Sequence, residues 1–291
     1  MALSRRTMIG LVAAAGLPAW QSAFAQSRAV LPLDTPGLDH LDVMVPDVEK
    51  STRFYMGLFR TALHAQPFQG AFRYFVLLGP LPQTREVGYI AVGDARGRGT
   101  YIGHFCTSVR EWRRDSAAIF AAMKEQFASA GLGEFPGPGS GAAGVFKDPD
   151  GIEIQFLPSP DTLVTAAVPS DLVPAQQGLV TPQRVDHVVL HVSNLQRAVD
   201  YYRILYGREN SREGNRATFT FTNGSRLVLE GTSYVYGSAQ TRIARYGIRV
   251  APFDRAKVTG GIAQLGGTVV NDAPGALRLR DVDGIELELV S

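Results

Sequence analysis

Histidine is scarce in this chain, five residues in 291, and two of the five stand in matched settings. Leu38-Asp39-His40-Leu41 and Val185-Asp186-His187-Val188 open two strings that run in step to Leu58 and Leu205, at a constant offset of 147 residues. A second pair of strings, Phe146 to Glu153 and Leu279 to Glu286, recurs at an offset of 133 around Asp150-Gly151 and Asp283-Gly284. Imidazoles and carboxylates placed this way can hold a divalent metal, or carry a proton near neutral pH. The plainer reading must stand beside that one. A single strand histidine is more often a hydrogen-bonded core or rim residue, and an Asp-Gly pair is a turn. The tyrosines Tyr55, Tyr201 and Tyr202 read as packing. Cys106, the only cysteine, reads as a buried structural thiol, although it lies two residues from His104 on one strand face.

Two independent strings recurring in the same order indicate a duplicated fold, the second copy 14 residues shorter inside. Each copy opens with a strand. In the first, Leu38, His40, Asp42 and Met44 share one face and Leu41, Val43 and Val45 the other. A helix follows, capped by Asp47 or Asn194, with a buried stripe of Phe54, Tyr55 and Leu58 matched by Tyr201, Tyr202 and Leu205. Strands then dominate: Arg73–Leu78 and Glu86–Val92 in the first copy, Ala217–Thr222 and Arg226–Glu230 in the second. Tyr101–Val109 forms a further strand, Glu111–Ala130 a helix, and a final strand begins after Asp150-Gly151. His64 falls on an edge strand or loop. The order strand-helix-strand-strand-strand thus occurs twice per copy.

The ends set further bounds. Arg5-Arg6, a short apolar stretch from Leu11 to Trp20 and Ala23-Phe24-Ala25 read as an export signal over residues 1–25, of the twin-arginine kind. The expected location is the periplasm. The apolar run is too short to span a bilayer. Without the two arginines, Lys+Arg falls from 29 to 27 against 27 Asp+Glu, and no basic stripe stands out. Nucleic acid is therefore not expected as a partner, nor a membrane span; a small molecule is, with a homodimer left open. Residues 26–36 read as a flexible lead-in, 37–157 as the first domain and 185–291 as the second. Residues 158–184, rich in proline, read as a linker or a strap over the surface.

The Asp-His strand, the short aromatic-rich helix and the Asp-Pro-Asp-Gly turn before an acidic strand resemble the vicinal oxygen chelate superfamily. That group includes glyoxalase I, extradiol dioxygenases and the bleomycin and fosfomycin resistance proteins. The resemblance covers nearly all of the chain after residue 36. It implies an α+β fold: two tandem domains, built from four βαβββ modules, that form curled mixed sheets with open clefts.

It also implies a site. In the superfamily one divalent metal lies in the cleft, held from the first strand of one module, the first strand of its partner and the last strand. Those positions correspond here to His40, His104 and Gln155, and the implied cofactor is Fe, Mn, Zn or Ni, one per chain. The family's third ligand is normally glutamate. Gln155 departs from that pattern and would bind less tightly, with Glu153 two residues earlier as the implied catalytic base. Glu153 could replace Gln155 as a ligand only if the strand slid or bulged. The second domain departs differently, offering His187 and Glu288 with Arg245 at the middle position. An arginine repels a cation and receives carboxylate or phosphate instead. His191, two pleats from His187, could lend a nitrogen. Ring cleavage in the family also uses a tyrosine about ten residues before the last ligand, where this chain has Val145.

Three functions follow from the resemblance. One is an exported metalloenzyme, glyoxalase-like or dioxygenase-like, acting on a small oxygenated molecule. Another is a metal-free sequestering protein of the bleomycin-resistance type, its clefts lined by Phe72, Tyr74 and Tyr101, with Arg242 and Arg245 receiving an anion. The last is a scaffold whose second domain only completes an interface. The first is the expectation.

Overall fold

Alternating apolar residues from Gly37 onward build strand β1 (Gly37–Val45), and Asp47 stops it by capping the next element. The Asp47 carboxylate accepts from the Lys50 backbone N–H at 3.0 Å and starts helix α1 (Val48–Leu58), which buries Phe54, Tyr55 and Leu58. The computed structural model describes residues 29–68, 70–79, 88–132, 145–158, 167–173, 178–233, 243–251 and 253–291. The export signal of residues 1–25, Arg242 and the expected start of a strand at Glu86 lie outside them. After α1 come β2 (Leu63–Phe68), β3 (Ala71–Leu78), β4 (Gly88–Asp94), β5 (Tyr101–Val109), α2 (Trp112–Ser129), β6 (Val145–Lys147) and β7 (Glu153–Pro158). These seven strands form one sheet in the order β2-β3-β4-β1-β5-β7-β6. His64 is on the outer strand β2, far along the sheet from β5 and β7.

The second half repeats the plan. It holds β8 (Pro182–Val192), α3 (Leu195–Tyr206), β9 (Ser211–Glu213), β10 (Arg216–Thr220), β11 (Arg226–Gly231), β12 (Ile243–Val250), α4 (Arg255–Gln264), β13 (Thr268–Ala273), β14 (Ala276–Arg280) and β15 (Glu286–Val290). Its eight strands run β13-β14-β15-β12-β8-β11-β10-β9. Asn194 caps α3 as Asp47 caps α1, accepting from the Arg197 N–H at 3.0 Å. The result is α+β, two curled mixed sheets with four α-helices among the described residues, and the modules pair within one chain.

Strict alternation fails at one point in β1. Leu38 packs in the core with Leu41, Val43 and Val45, because one extra residue is inserted between the pairs Leu38↔Thr107 and Leu41↔Phe105. This bulge at Asp39-His40 turns Leu38 inward while leaving His40, Asp42 and Met44 on the opposite face. The bulge recurs at Asp186-His187, between Val185↔Ile248 and Val188↔Tyr246.

Two segments pack more closely than their sequences suggest. The expected lead-in buries Leu31 and Leu33, and the Leu33 N–H donates to the Leu205 carbonyl at 2.7 Å, so residues 29–36 are tied to α3. The Pro-rich segment buries Leu172 and Val180 in the core, and Val180 pairs with Phe59 just after α1. Where described, it is a packed element rather than a surface strap.

The repeated turns join the halves. Asp148 accepts from the backbone N–H groups of Asp150 (2.9 Å) and Ile152 (2.8 Å), and Gly151 takes φ 75°, which glycine allows at least cost. Its other oxygen receives the Tyr202 hydroxyl of α3 at 3.0 Å. In the mirror arrangement Asp281 receives the Tyr55 hydroxyl of α1 at 2.7 Å. Asp150 accepts from Ser193 and pairs with Arg197, while Asp283 accepts from Ser51 and pairs with Lys50. Turn and tyrosine are thus more than turn and packing: they latch each half to the other. One apolar cluster accordingly runs through both, from Leu41 and Phe156 to Val188 and Leu287.

Candidate metal centre

Three strands bring three side chains together. β1 contributes His40, β5 contributes His104 and β7 contributes Gln155. The Nε2 atoms of the two histidines lie 3.2 Å apart, and Gln155 Oε1 is 2.9 Å from one and 3.0 Å from the other. Both imidazoles are held from behind. His40 Nδ1 donates to Asp39 Oδ1 at 2.8 Å, and Asp39 also accepts from the Ser108 hydroxyl at 3.1 Å. His104 Nδ1 faces Asp42 Oδ2 at 3.3 Å, and Asp42 pairs with Arg73 at 2.5 Å. With each Nδ1 proton committed to a carboxylate, each Nε2 presents a lone pair, as metal-bound histidines do.

Electrostatics agree with that tautomer. Burial holds His40 below the usual imidazole range, against the pull of Asp39. Burial alone would raise Asp42, yet His104 and Arg73 beside it keep its carboxyl below the usual range. Tyr89 stacks on His40 with centroids 4.2 Å apart, and with Phe75, Leu77 and Ala91 it forms a small apolar patch. Three lone-pair atoms facing one another with no proton between them repel, so the set fits a divalent cation.

Gln155 rather than Glu153 completes the set. The pairing of β5 with β7 is unbroken from His104↔Glu153 to Val109↔Pro158, so the strand has not slid. Glu153 pairs with Lys147 at 3.6 Å and lines a cavity of about 710 Å³ further along the cleft. Asp42, Met44, Arg73 and Tyr101 line it too, with Ile243 of the second half on its wall. Of the aromatics expected in the cleft, Tyr101 and Phe72 line this cavity, but Tyr74 does not. Tyr74 shares a face of β3 with Phe72, their rings stacked with centroids 6.2 Å apart, but it lies deeper, in the main core. Cys106 is fully buried, its sulfur grouped with ligand atoms of Asp39 and His40 within 4.8 Å of one another. Asp42 and Arg73 were missed as site residues; the shared face of His40 and Asp42 was the available signal for the first.

In the second half the same register brings different residues together. Val188↔Tyr246 and Val189↔Arg245 repeat Leu41↔Phe105 and Asp42↔His104, which places Arg245 at the position of His104. Gly247↔Glu288 repeats Cys106↔Gln155. Arg245 donates to Glu288 at 3.2 Å and to Glu230 at 2.9 Å, while His187 Nε2 faces Glu288 at 3.4 Å. His191 lies 3.5 Å from Glu230. Next to His191 and Arg245, Glu230 titrates at about 2; with His187 and two arginines around it, so does Glu288. Burial would depress His187, but Asp186 and Glu288 raise it. The guanidinium of Arg245 thus sits among the carboxylates where the first cleft turns three lone pairs inward.

Residues 37–156 match the Glyoxalase/Bleomycin resistance protein/Dioxygenase superfamily. The matched residues include His40, His104 and Gln155. Metapyrocatechase 2 from Cupriavidus necator is 33% identical over 115 residues, 35% of this chain and 36% of that protein. The chain therefore covers little more than a third of that relative's length. Among solved structures, the Mn(II)-bound glyoxalase from Novosphingobium aromaticivorans superposes with a TM-score of 0.61 at 14% identity, over 89% of this chain and 83% of that one. The 2,3-dioxygenase LapB from Pseudomonas sp. KL28 gives 0.61 at 12%, over 89% and 93%. At these identities the structures speak to fold alone, and that likeness in fold spans both halves.

Proposed function

We propose that this chain is a metal-dependent enzyme, dioxygenase-like or glyoxalase-like, acting on a small oxygenated organic molecule in the first cleft. One observation carries the reading: His40 Nε2, His104 Nε2 and Gln155 Oε1 converge within 3.2 Å while Asp39 and Asp42 hold the far side of each imidazole. These three side chains would hold one Fe, Mn, Zn or Ni ion per chain. Such an ion supplies Lewis-acid polarisation of substrate oxygens. The protein's own residues do the rest. Asp39 and Asp42 fix ring orientation, the Tyr89 patch keeps water from His40, and Glu153 on the cavity wall accepts a proton from the substrate. The matched family description, which names both glyoxalases and dioxygenases, and the relative named metapyrocatechase 2 support both reaction types.

Elemental analysis of the purified full chain, beside the His40→Ala, His104→Ala double variant, tests the proposal. About one equivalent of metal is expected in the first and none in the second. Metal in neither would leave the alternative, a metal-free binder. One feature favours that alternative: Gln155 carries no charge, and its amide, turned over, can donate to both Nε2 atoms. We also propose export to the periplasm through residues 1–25, for which N-terminal sequencing of the mature protein should find a start near residue 26.

A further inference from the structure

The duplicated register allows the two clefts to be compared position by position, and at one end they differ in charge. In the first half, Asp39 is shared by His40 and Ser108, with Gly37 facing Ser108 across the strands and Tyr89 beside His40. The same three positions in the second half are arginines. Arg184 stands for Gly37, Arg249 for Ser108 and Arg226 for Tyr89, as the pairs Arg249↔Arg184 and Arg226↔His187 show. Arg226 and Arg249 pair with one carboxylate, Asp186, which is fully buried, and Arg184 lies within reach of its charge.

That carboxylate is already saturated. Asp186 Oδ1 accepts from His187 at 2.9 Å and Arg226 at 2.5 Å, and Oδ2 accepts from Arg249 at 2.7 and 3.0 Å. Arg184 spends its Nε on the Asn223 carbonyl at 2.9 Å, and its buried Nη1 has no acceptor among the described residues. No other carboxylate pairs with these three arginines among the described residues. Two positive charges are left over. Arg184 and Arg249 also face each other directly across β8 and β12, and Asp186, paired with Arg249, offsets only one of these two like charges. A cluster serving only to neutralise Asp186 needs one guanidinium. Arg226 and Arg249 keep roughly a third of their side chains exposed, with N–H groups that meet no acceptor among the described residues, in the planar fork that suits an oxyanion.

We propose that this end of the second cleft binds a small oxyanion, either a free inorganic ion or the acid group of an organic ligand, through Arg226 and Arg249 with Arg184 behind them. The site is independent of the first cleft and requires no metal.

Calorimetric titration of inorganic phosphate and of benzoate into the full chain, at ionic strength held constant with chloride, tests it. Saturable binding of at least one anion is expected, one per chain, and weakened by about tenfold or more in Arg226→Gln and in Arg184→Gln. Arg226→Gln leaves Arg249 and His187 on Asp186, and Arg184→Gln leaves the Asp186 pairs untouched, so one variant serves if the other fails to fold. The His40→Ala, His104→Ala double variant should bind the anion unchanged. Tighter phosphate than benzoate would indicate a free ion, and the reverse an organic acid. No saturable binding of either, undiminished binding in the arginine variants, or loss in the double histidine variant would each overturn the proposal.

Discussion

Asp42 is not one of the three convergent side chains, yet it decides how His104 presents itself. Its carboxylate holds His104 Nδ1 and is itself held by Arg73. Asp42→Asn should therefore weaken metal binding by about 10- to 100-fold, read by competition with a chromophoric chelator. Gln155→Glu should do the opposite, tightening binding by about tenfold or more, because a carboxylate neutralises the ion that the amide only solvates. That His40, His104 and Gln155 come together was legible from the resemblance. Tyr74 was not. The run Arg73–Leu78 is apolar on both faces, so only the pairing with β4 shows which residues look into the cleft. Asp42 and Arg73, which meet across two strands, leave no mark of their contact in a linear string.

At the level of elements, the turns and helices act as pairs. Tyr55→Phe removes a hydroxyl that donates to Asp281 and accepts from Tyr246 at 3.0 Å, and should cost about 1–3 kcal/mol in urea unfolding; Tyr202→Phe should cost about 1–2. The latch also has a pH signature. Burial pushes Asp148 up to about 6, from an unfolded value near 3.8. Between these values the folded chain binds the proton and the unfolded chain does not, so this residue's contribution to stability falls as pH rises from about 4 to 6. Asp148→Asn should remove that decline, visible as the difference between the two proteins' urea midpoints across the window. The capped helices α1 and α3 were readable because Asp47 and Asn194 precede amphipathic stripes. The lead-in and the Pro-rich segment were not. Leu31, Leu33, Leu172 and Val180 are isolated apolar residues without a period, and what buries them lies far away in sequence.

At the scale of the whole molecule, one apolar cluster and two reciprocal latches make the halves a single cooperative body. Trp112 is the only tryptophan after residue 25 and reports on the first half alone. Its fluorescence should lose native character at the same denaturant concentration as the far-UV signal of both sheets, and two separated transitions would contradict this cooperativity. The duplication was plain in the sequence, but the handshake between copies was not, since nothing in either string says which copy its tyrosine will meet. That handshake bears on ancestry. Tyr55 reaches Asp281 and Tyr202 reaches Asp148, each residue finding in the other copy the partner that its own copy offers in return. This reciprocity is the form of a twofold dimer interface. A gene fusion would turn such a contact between two identical subunits into a contact within one chain. It would then free the two clefts to diverge, one toward three inward lone pairs and the other toward a surplus of arginine.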